Sequence, residues 1–454
     1  MYLHRVQVPD FRVLKGVDIT FEKEFNPRIF PIGSQNGGGK STLLQLIFLL
    51  LHCSGHPEKI PYLKNMIYGF QVHEKTEKKV LSIIDIIDDN KIVQLQFFSC
   101  TSYYIEQLLS LENESIEPKD DLFVTLEKIK QMKKQLFALK KQLEVGNDQI
   151  QLVDIENRKK FEEKLKQLKG KIFLLNHQLS SLLNSSKKIL DRLKVKNIIH
   201  ISNYSSHGTE NENEALFCLI NNLDSTIEPE AFLTELSNKI FLAAPSTQVL
   251  LFLPYDIRKM LFQEEDKHSL NTVYYSYIRE AKKKLRGLFL YDFLAVDLIV
   301  SSFKSARDKD FKDAIETGEY GNNYKLLLKD LNSLLGNKQI NLTTDISGVN
   351  FKIDKDGEVV ELAPEDLSHG ELKRLSIYMW LKYRNIENAI VLMDEIEIAF
   401  HPDWQYQIVS DLNQWEPSNQ YILATHSYEL CQALTPAHVK ELEPKLMKQS
   451  SGQV

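Results

Sequence analysis

An α/β fold with an inserted antiparallel coiled-coil hairpin and a mostly helical intermediate region is what this sequence predicts, on three observations. A glycine-rich loop, Gly33–Ser34–Gln35–Asn36–Gly37–Gly38–Gly39–Lys40–Ser41–Thr42, sits between a strand-like run and an apolar helix. From about Leu122 to Leu193 the composition turns to Lys, Glu, Gln and Leu, with apolar residues at heptad spacing. Further on, Ala389–Ile390–Val391–Leu392–Met393 runs directly into Asp394–Glu395. A wholly apolar run ending in carboxylates reads as a buried parallel strand whose C-terminal edge faces a ligand.

Composition sets the outer bounds. With 454 residues, 43% hydrophobic and 26% charged, the chain has material for a core and is neither disordered nor fibrous. The longest apolar stretch, Leu43–Cys53, falls well short of the ~20 residues of a bilayer span, so no membrane is expected. No secretory signal is visible after Met1, and the four cysteines (Cys53, Cys100, Cys218, Cys431) lack paired spacing. A reduced, cytoplasmic protein is expected. The net charge of −6 excludes an overall basic coat, though not a local basic patch.

Residues 1–115 form the first part of the α/β unit. Leu3–Val8, Val17–Phe21, Arg28–Ile32, Val80–Ile87 and Ile92–Phe98 read as strands around the helix that starts after Lys40. In the loop itself, glycines let several backbone N–H groups face one point, and the next helix adds its positive end. Lys40 is placed to reach β- and γ-phosphates, and the Ser41 hydroxyl to ligate Mg²⁺. The candidate nucleotide contacts are therefore Asn36, Gly37, Gly38, Gly39, Lys40, Ser41 and Thr42. One departure stands out: Ser34 occupies the position where such loops usually begin with glycine.

Residues 116–195 carry the coil. Its second half repeats as Phe161, Leu165, Leu168, Ile172, Leu175, Leu179 and Leu182; its first half runs Leu126, Ile129, Met132, Leu136, Leu139, Leu143. Gly146–Asn147–Asp148 supplies a turn signal between them. Two antiparallel helices are expected, the shorter of about 22 residues reaching ~33 Å. Residues 196–340 look mixed and mostly helical.

Residues 341–454 open with a hairpin pattern, Val349–Ile353, Asp354–Lys355–Asp356–Gly357, Val359–Leu362. Leu367–Ser368–His369–Gly370–Glu371 precedes a helical pattern; Ser and Gly there suit either an anion or a plain N-cap. Asp394 suits Mg²⁺, and Glu395 is placed to orient or deprotonate an attacking water. Tyr421–Ile422–Leu423–Ala424–Thr425–His426–Ser427 is a second buried strand, ending in a histidine that can lie beside the acidic pair. His52–Cys53 with His56 reads as an incidental grouping and not a metal site.

This order of motifs resembles the ABC-type P-loop ATPase heads of the SMC/RecF/OLD group. Leu392–Met393–Asp394–Glu395–Ile396–Glu397–Ile398–Ala399–Phe400–His401–Pro402 is similar to the OLD-like branch, which includes anti-phage ATPases such as the Septu-type PtuA group, some encoded beside retrons. The likeness covers residues 1–50 and 345–430. It implies ATP as substrate with Mg²⁺, a homodimer or higher oligomer that sandwiches ATP, and Ser368 and Gly370 contacting ATP held by the other subunit's Lys40. It implies that His426 senses the γ-phosphate and acts with Glu395 and Lys40 in catalysis. The branch's glutamine loop has three candidates, Gln71, Gln94 and Gln96, and its early strand suggests Arg12 near the nucleotide.

The function implied is an ATPase that regulates a partner nuclease of HNH type in anti-phage defence, with DNA repair or recombination as the alternative. A transporter ATPase fits less well, because Lys40 and Ser368 are much further apart than in that class. The stretch after His426 is too short for a nuclease domain, so cutting would fall to the partner. DNA or RNA is a further candidate partner, through Lys128, Lys130, Lys133, Lys134, Lys140 and Lys141 and through Lys282–Lys283–Lys284–Leu285–Arg286, although each run also reads as a solvated helix face.

Overall fold

The computed structural model describes residues 1–72, 77–110, 122–149, 155–204, 214–261, 267–291, 296–343, 345–355 and 357–442. The chain divides into two compact units, one of Met1–Met66, Ile84–Ile92 and Ala231–Val454, the other of Ile67–Ile83 and Val93–Glu230.

In the first unit, β1 (Tyr2–Phe11) and β2 (Leu14–Thr20) pair antiparallel, and β3 (Ile29–Gly33) leads through the glycine-rich loop into helix α1 (Lys40–Cys53). Every residue of α1 from Leu43 to Cys53 is buried. A helix apolar on all sides has no face for water and must be enclosed. Helix α2 (Ile60–Ile67) follows.

The second unit takes most of β4 (Lys78–Asp88) and β5 (Lys91–Cys100), then α3 (Ser102–Ser110), α4 (Leu122–Gln149), α5 (Ile155–Val195), β6 (Ile198–Tyr204) and β7 (Glu214–Asn221). Strand β7 pairs antiparallel with both β5 and β6. Its core joins Phe98, Leu109, Phe123, Leu193 and Phe217.

Helices α4 and α5 pack on each other. All seven predicted seam positions of α5 are buried or half-buried, whereas Phe173 and Leu174 between them are exposed. The turn expected at Gly146–Asn147–Asp148 is not there, because α4 continues to Gln149. Gly146 instead prolongs the stripe Met132, Leu136, Leu139, Leu143 and is buried; a Cβ on it would stand 2.7 Å from Leu165 Cδ2. Its small size serves close helix approach, which sequence alone cannot distinguish from a turn glycine. Helix α4 thus has 28 residues, not the shorter arm expected, and its connection to α5 lies outside the described residues.

The rest of the first unit comprises α6 (Pro229–Ser237), β8 (Ile240–Ala244), α7 (Tyr255–Leu261), α8 (Lys267–Lys284), β9 (Leu288–Leu290), α9 (Val296–Thr317) and α10 (Asn323–Leu335). Next come β10 (Lys338–Leu342), β11 (Val349–Lys355), β12 (Glu358–Leu362), α11 (His369–Tyr383), β13 (Ile390–Asp394), α12 (Pro402–Trp415), β14 (Gln420–Ala424), α13 (Tyr428–Gln432) and β15 (Lys440–Glu441). Strands β10, β11 and β12 make the expected hairpin with one added strand, although Asp356 lies outside the described residues.

One parallel sheet in the order β15-β3-β14-β13-β8-β9 organises this unit. Helix α1 lies against β8, β13 and β14, while Val391, Met393 and Leu423 share a cluster with Leu375, Met379 and Trp380 of α11. Gln420 ties β1 to this sheet through paired amide bonds with the Leu3 backbone, both 2.8 Å. The stretch 196–340, read as mostly helical, contributes β6 and β7 to the second unit and β8 and β9 to this sheet. No helix among the described residues is long and apolar enough to cross a membrane.

Candidate functional site

Parallel register brings the motifs to one edge. Ile32 lies opposite Ala424, Ala424 opposite Asp394, and Met393 opposite Ala243. The glycine-rich loop, His426, Glu395 and the segment after Ala244 therefore all emerge at the C-terminal ends of adjacent strands, where open α/β sheets place their ligands.

The loop is built from the backbone outward. Gly37 and Gly39 take φ of 81° and 90°, where a side chain is strained. A Cβ on Gly38 would stand 2.4 Å from Ser34 Oγ. Ser34 itself has no positive φ among the residues that show one, so the missing glycine costs the backbone nothing. Its hydroxyl donates to Gln35 O at 2.9 Å and accepts from Lys40 Nζ at 3.1 Å. Lys40 Nζ also donates to Ser34 O at 3.3 Å and meets His426 Nε2 at 2.8 Å. Three ammonium donors thus face three acceptors, which requires the His426 ring to carry its proton on Nδ1. Burial lowers the Lys40 pKa, opposed by the charges of Asp394, Glu397 and Glu395. Asn36 is exposed, and Ser41 and Thr42 are half-buried in the first turn of α1, which holds no acidic residue to repel a phosphate. Arg12 donates to Met66 O at 2.9 Å.

Ser41 Oγ donates to Asp394 Oδ1 at 3.0 Å. Asp394 is 1% exposed, and its Oδ2 has no hydrogen-bond partner among the described residues. A hydroxyl beside a carboxylate with a bare oxygen is a hard-oxygen donor set of the kind Mg²⁺ prefers, so these residues fit that ion. No group of three or more His, Cys, Asp or Glu able to hold a metal occurs among the described residues. His52 stacks on Phe48, bonds Ser237 O through Nδ1 at 2.8 Å, and is pushed down to about 3 by burial.

Burial pushes the Asp394 carboxyl up to about 7, with Glu395 and Glu397 adding to it against the Ser41 bond and Lys40. Folding therefore retains a proton that the unfolded chain releases between the ordinary carboxyl value of 3.8 and about 7. This contribution to stability is full below that window and lost as pH rises through it. The expected result is that Asp394→Asn gains in urea-unfolding stability relative to the parent as pH increases from 4 to 7. A pH-independent difference would place the proton elsewhere.

Glu395 has φ +50°, donates its N–H to Ala424 O at 2.9 Å, and accepts from Gln248 Nε2 at 3.2 Å. Gln248 is held in turn by Gln45 Nε2, which donates to its carbonyl at 2.6 Å. Sequence reading missed Gln248 because it sits in the stretch that carried no motif. Of the three glutamines proposed instead, all belong to the second unit, where Gln94 bonds Asn221 and Gln96 bonds Lys78. Glu397 was also given no role. It is 8% exposed, and its Oε1 accepts the His426 N–H at 2.6 Å. The signal available was its spacing, two residues beyond Glu395 in a turn ending at a second positive φ, 70° at Ala399.

Ser368 caps α11: it accepts from the Glu371 N–H at 3.2 Å, while its own N–H and hydroxyl donate to Glu371 Oε2 at 2.8 and 2.9 Å. Burial raises the Glu371 pKa, but Lys338 at 2.7 Å and Ser368 outweigh it and hold the carboxyl below its usual value. Gly370 backs onto the acidic turn, where a Cβ would lie 2.6 Å from Ala399 O. Lys373, one turn on, donates to Glu395 O and Ile398 O at 3.0 and 3.2 Å. Among the described residues no hydrogen bond joins Ser368 or Gly370 to Lys40 or Ser41. The structure thus gathers Lys40, Ser41, Asp394, Glu395 and His426, while Ser368 is engaged in the α11 cap and Gly370 packs against Ala399 O.

Comparison with known proteins adds three likenesses. A stretch of 91 residues is 33% identical to the retron Vc95 probable ATPase of Vibrio cholerae serotype O1 biovar El Tor, spanning 18% of each chain. The Smc head domain of Pyrococcus furiosus, bound to the C-terminal domain of ScpA, aligns at 11% identity over 95% of this chain and 91% of that one, with a TM-score of 0.31. The SmcHead bound to the C-winged helix domain of ScpA aligns at 10% identity over 95% and 92%, with a TM-score of 0.37. The profile described as AAA ATPase domain matches residues 1–431, and on that match the chain belongs to the AAA ATPase domain family.

Proposed function

We propose that this chain hydrolyses ATP and that its nucleotide state governs a partner effector. One observation carries the reading: Lys40, the Ser41–Asp394 pair and Glu395 meet at one edge of a parallel sheet, beside a loop that turns on Gly37 and Gly39 at positive φ. Asn36 to Thr42 would cradle the phosphates, with Lys40 leaving Ser34 and His426 for the β- and γ-oxygens. Ser41 and an ionised Asp394 would hold Mg²⁺, which neutralises phosphate charge when bound. Glu395, fixed by Gln248 and by its own backbone bonds, would orient the attacking water and take its proton. His426 would report the γ-phosphate through the contact it now makes with Lys40.

Two copies are proposed to close around ATP, with Ser368 and Gly370 of one facing the phosphates held by the other. The position of Ser368 at the N-terminus of α11 supports this, although in one chain its hydroxyl serves the cap with Glu371. Helices α4 and α5, with their half-buried stripes, would form the coiled-coil arm. The effector is proposed to be a separate nuclease of HNH type in phage defence; the likeness of 91 residues to a retron probable ATPase supports only a retron-type setting.

Ser368→Arg tests the shared site. Pure Ser368→Arg should lose ATP turnover by more than about tenfold, while losing only about 1 kcal/mol from the cap. Mixed with Lys40→Ala, it should restore at most one of two composite sites. Full turnover by pure Ser368→Arg overturns the proposal that the sites are shared.

A further inference from the structure

Glu397 is a buried carboxylate with one oxygen in use. Oε1 accepts the His426 N–H at 2.6 Å, and Oε2 has no hydrogen-bond partner among the described residues. A buried bare oxygen costs stability, so packing alone does not account for a glutamate here. Its charge is felt at Lys40 and at Asp394. The same His426 whose peptide it holds presents Nε2 to Lys40 at 2.8 Å. An exposed histidine ring on a strand end has wide rotational freedom; here its backbone is anchored to the acidic turn two residues beyond Glu395.

We propose that Glu397 is a positioning residue: by accepting the His426 N–H it fixes the strand end so that the imidazole stays at Lys40, and so couples the acidic turn to the histidine. The inference rests on the reading of the loop as a nucleotide site, but the contact it concerns exists within this chain alone. What the position requires is an acceptor oxygen of the right reach. Glutamine keeps one through its amide carbonyl, and alanine removes it.

The test uses the full chain labelled with ¹⁵N-histidine, with the His426 signals identified by their loss in His426→Gln. Glu397→Ala should move His426 away from the Nδ1–H tautomer and lower kcat for ATP by about tenfold or more, with KM changed by less than about threefold. Glu397→Gln, nearly isosteric, should restore both the tautomer and most of kcat. An unchanged His426 tautomer in Glu397→Ala overturns the inference, as does equal loss in the Gln and Ala variants. If the parent chain does not hydrolyse ATP, the proposed function fails, while the tautomer still decides whether Glu397 positions His426. Should Glu397→Ala not fold, the glutamine variant's tautomer stands as the measurement: retention supports the inference and loss overturns it.

Discussion

Lys40→Ala is expected to abolish useful affinity for ATP. Its ammonium presents three donors at the mouth of the loop, and two of them turned to phosphate oxygens form charge-assisted bonds. At about 1.5–3 kcal/mol each, their loss predicts binding weaker by roughly a hundredfold or more. The fold should survive, because Lys40 lies at the first turn of α1 and the apolar residues from Leu43 onward bury the helix without it. Titration with a fluorescent ATP analogue measures the effect, with circular dichroism as the control for folding. Affinity within about threefold of the parent would remove Lys40 from the site.

Glu395→Gln is expected to do the opposite: keep ATP and stop turnover. The substitution preserves the side chain's shape, and its amide oxygen can still accept from Gln248 Nε2. The backbone bonds to Ala424 O and from Lys373 are untouched. What disappears is the capacity to take a proton from water, a contribution of about 10²–10⁴ in rate for a general base. Single-turnover hydrolysis should therefore slow by at least about a hundredfold, while equilibrium binding stays near the parent's. Native mass measurement with ATP should find the closed pair accumulating. Hydrolysis at the parent rate would show that Glu395 is not the base.

The features legible from sequence are those whose signal is local. The glycine-rich loop declares itself in ten consecutive residues, since left-handed φ and close approach demand glycine at Gly37, Gly38 and Gly39 themselves. The strand ending at Asp394 and the strand ending at Ala424 are uninterrupted apolar runs. The stripe on α5 repeats every few residues over many turns. Gly146 shows the limit of that kind of reading. A glycine between two helical patterns ordinarily marks a turn, and only the presence of Leu165 on the facing helix makes it a contact point.

Gln248 and Glu397 illustrate the other class. Nothing within a few residues of Gln248 separates it from an ordinary polar residue after a strand. It acquires meaning because β8 lies beside β13, which sets it against Glu395 from a position 147 residues away in the chain. Likewise His426 reaches Lys40 across a separation of 386 residues. Ser34, the loop's departure from glycine, accepts from Lys40 through its hydroxyl, a contact no local pattern announces.

From the amino-acid order alone came the α/β class, the phosphate loop, the acidic strand end and the paired helices, because periodicity and backbone demand act over neighbouring residues. Which glutamine meets Glu395, which carboxylate anchors His426, and what Gly146 touches were decided by the parallel register of β3, β14, β13 and β8 and by the approach of α4 to α5. Those contacts join segments far apart in the chain, and no local rule encodes a distance that exists only once the sheet and the helix pair have formed.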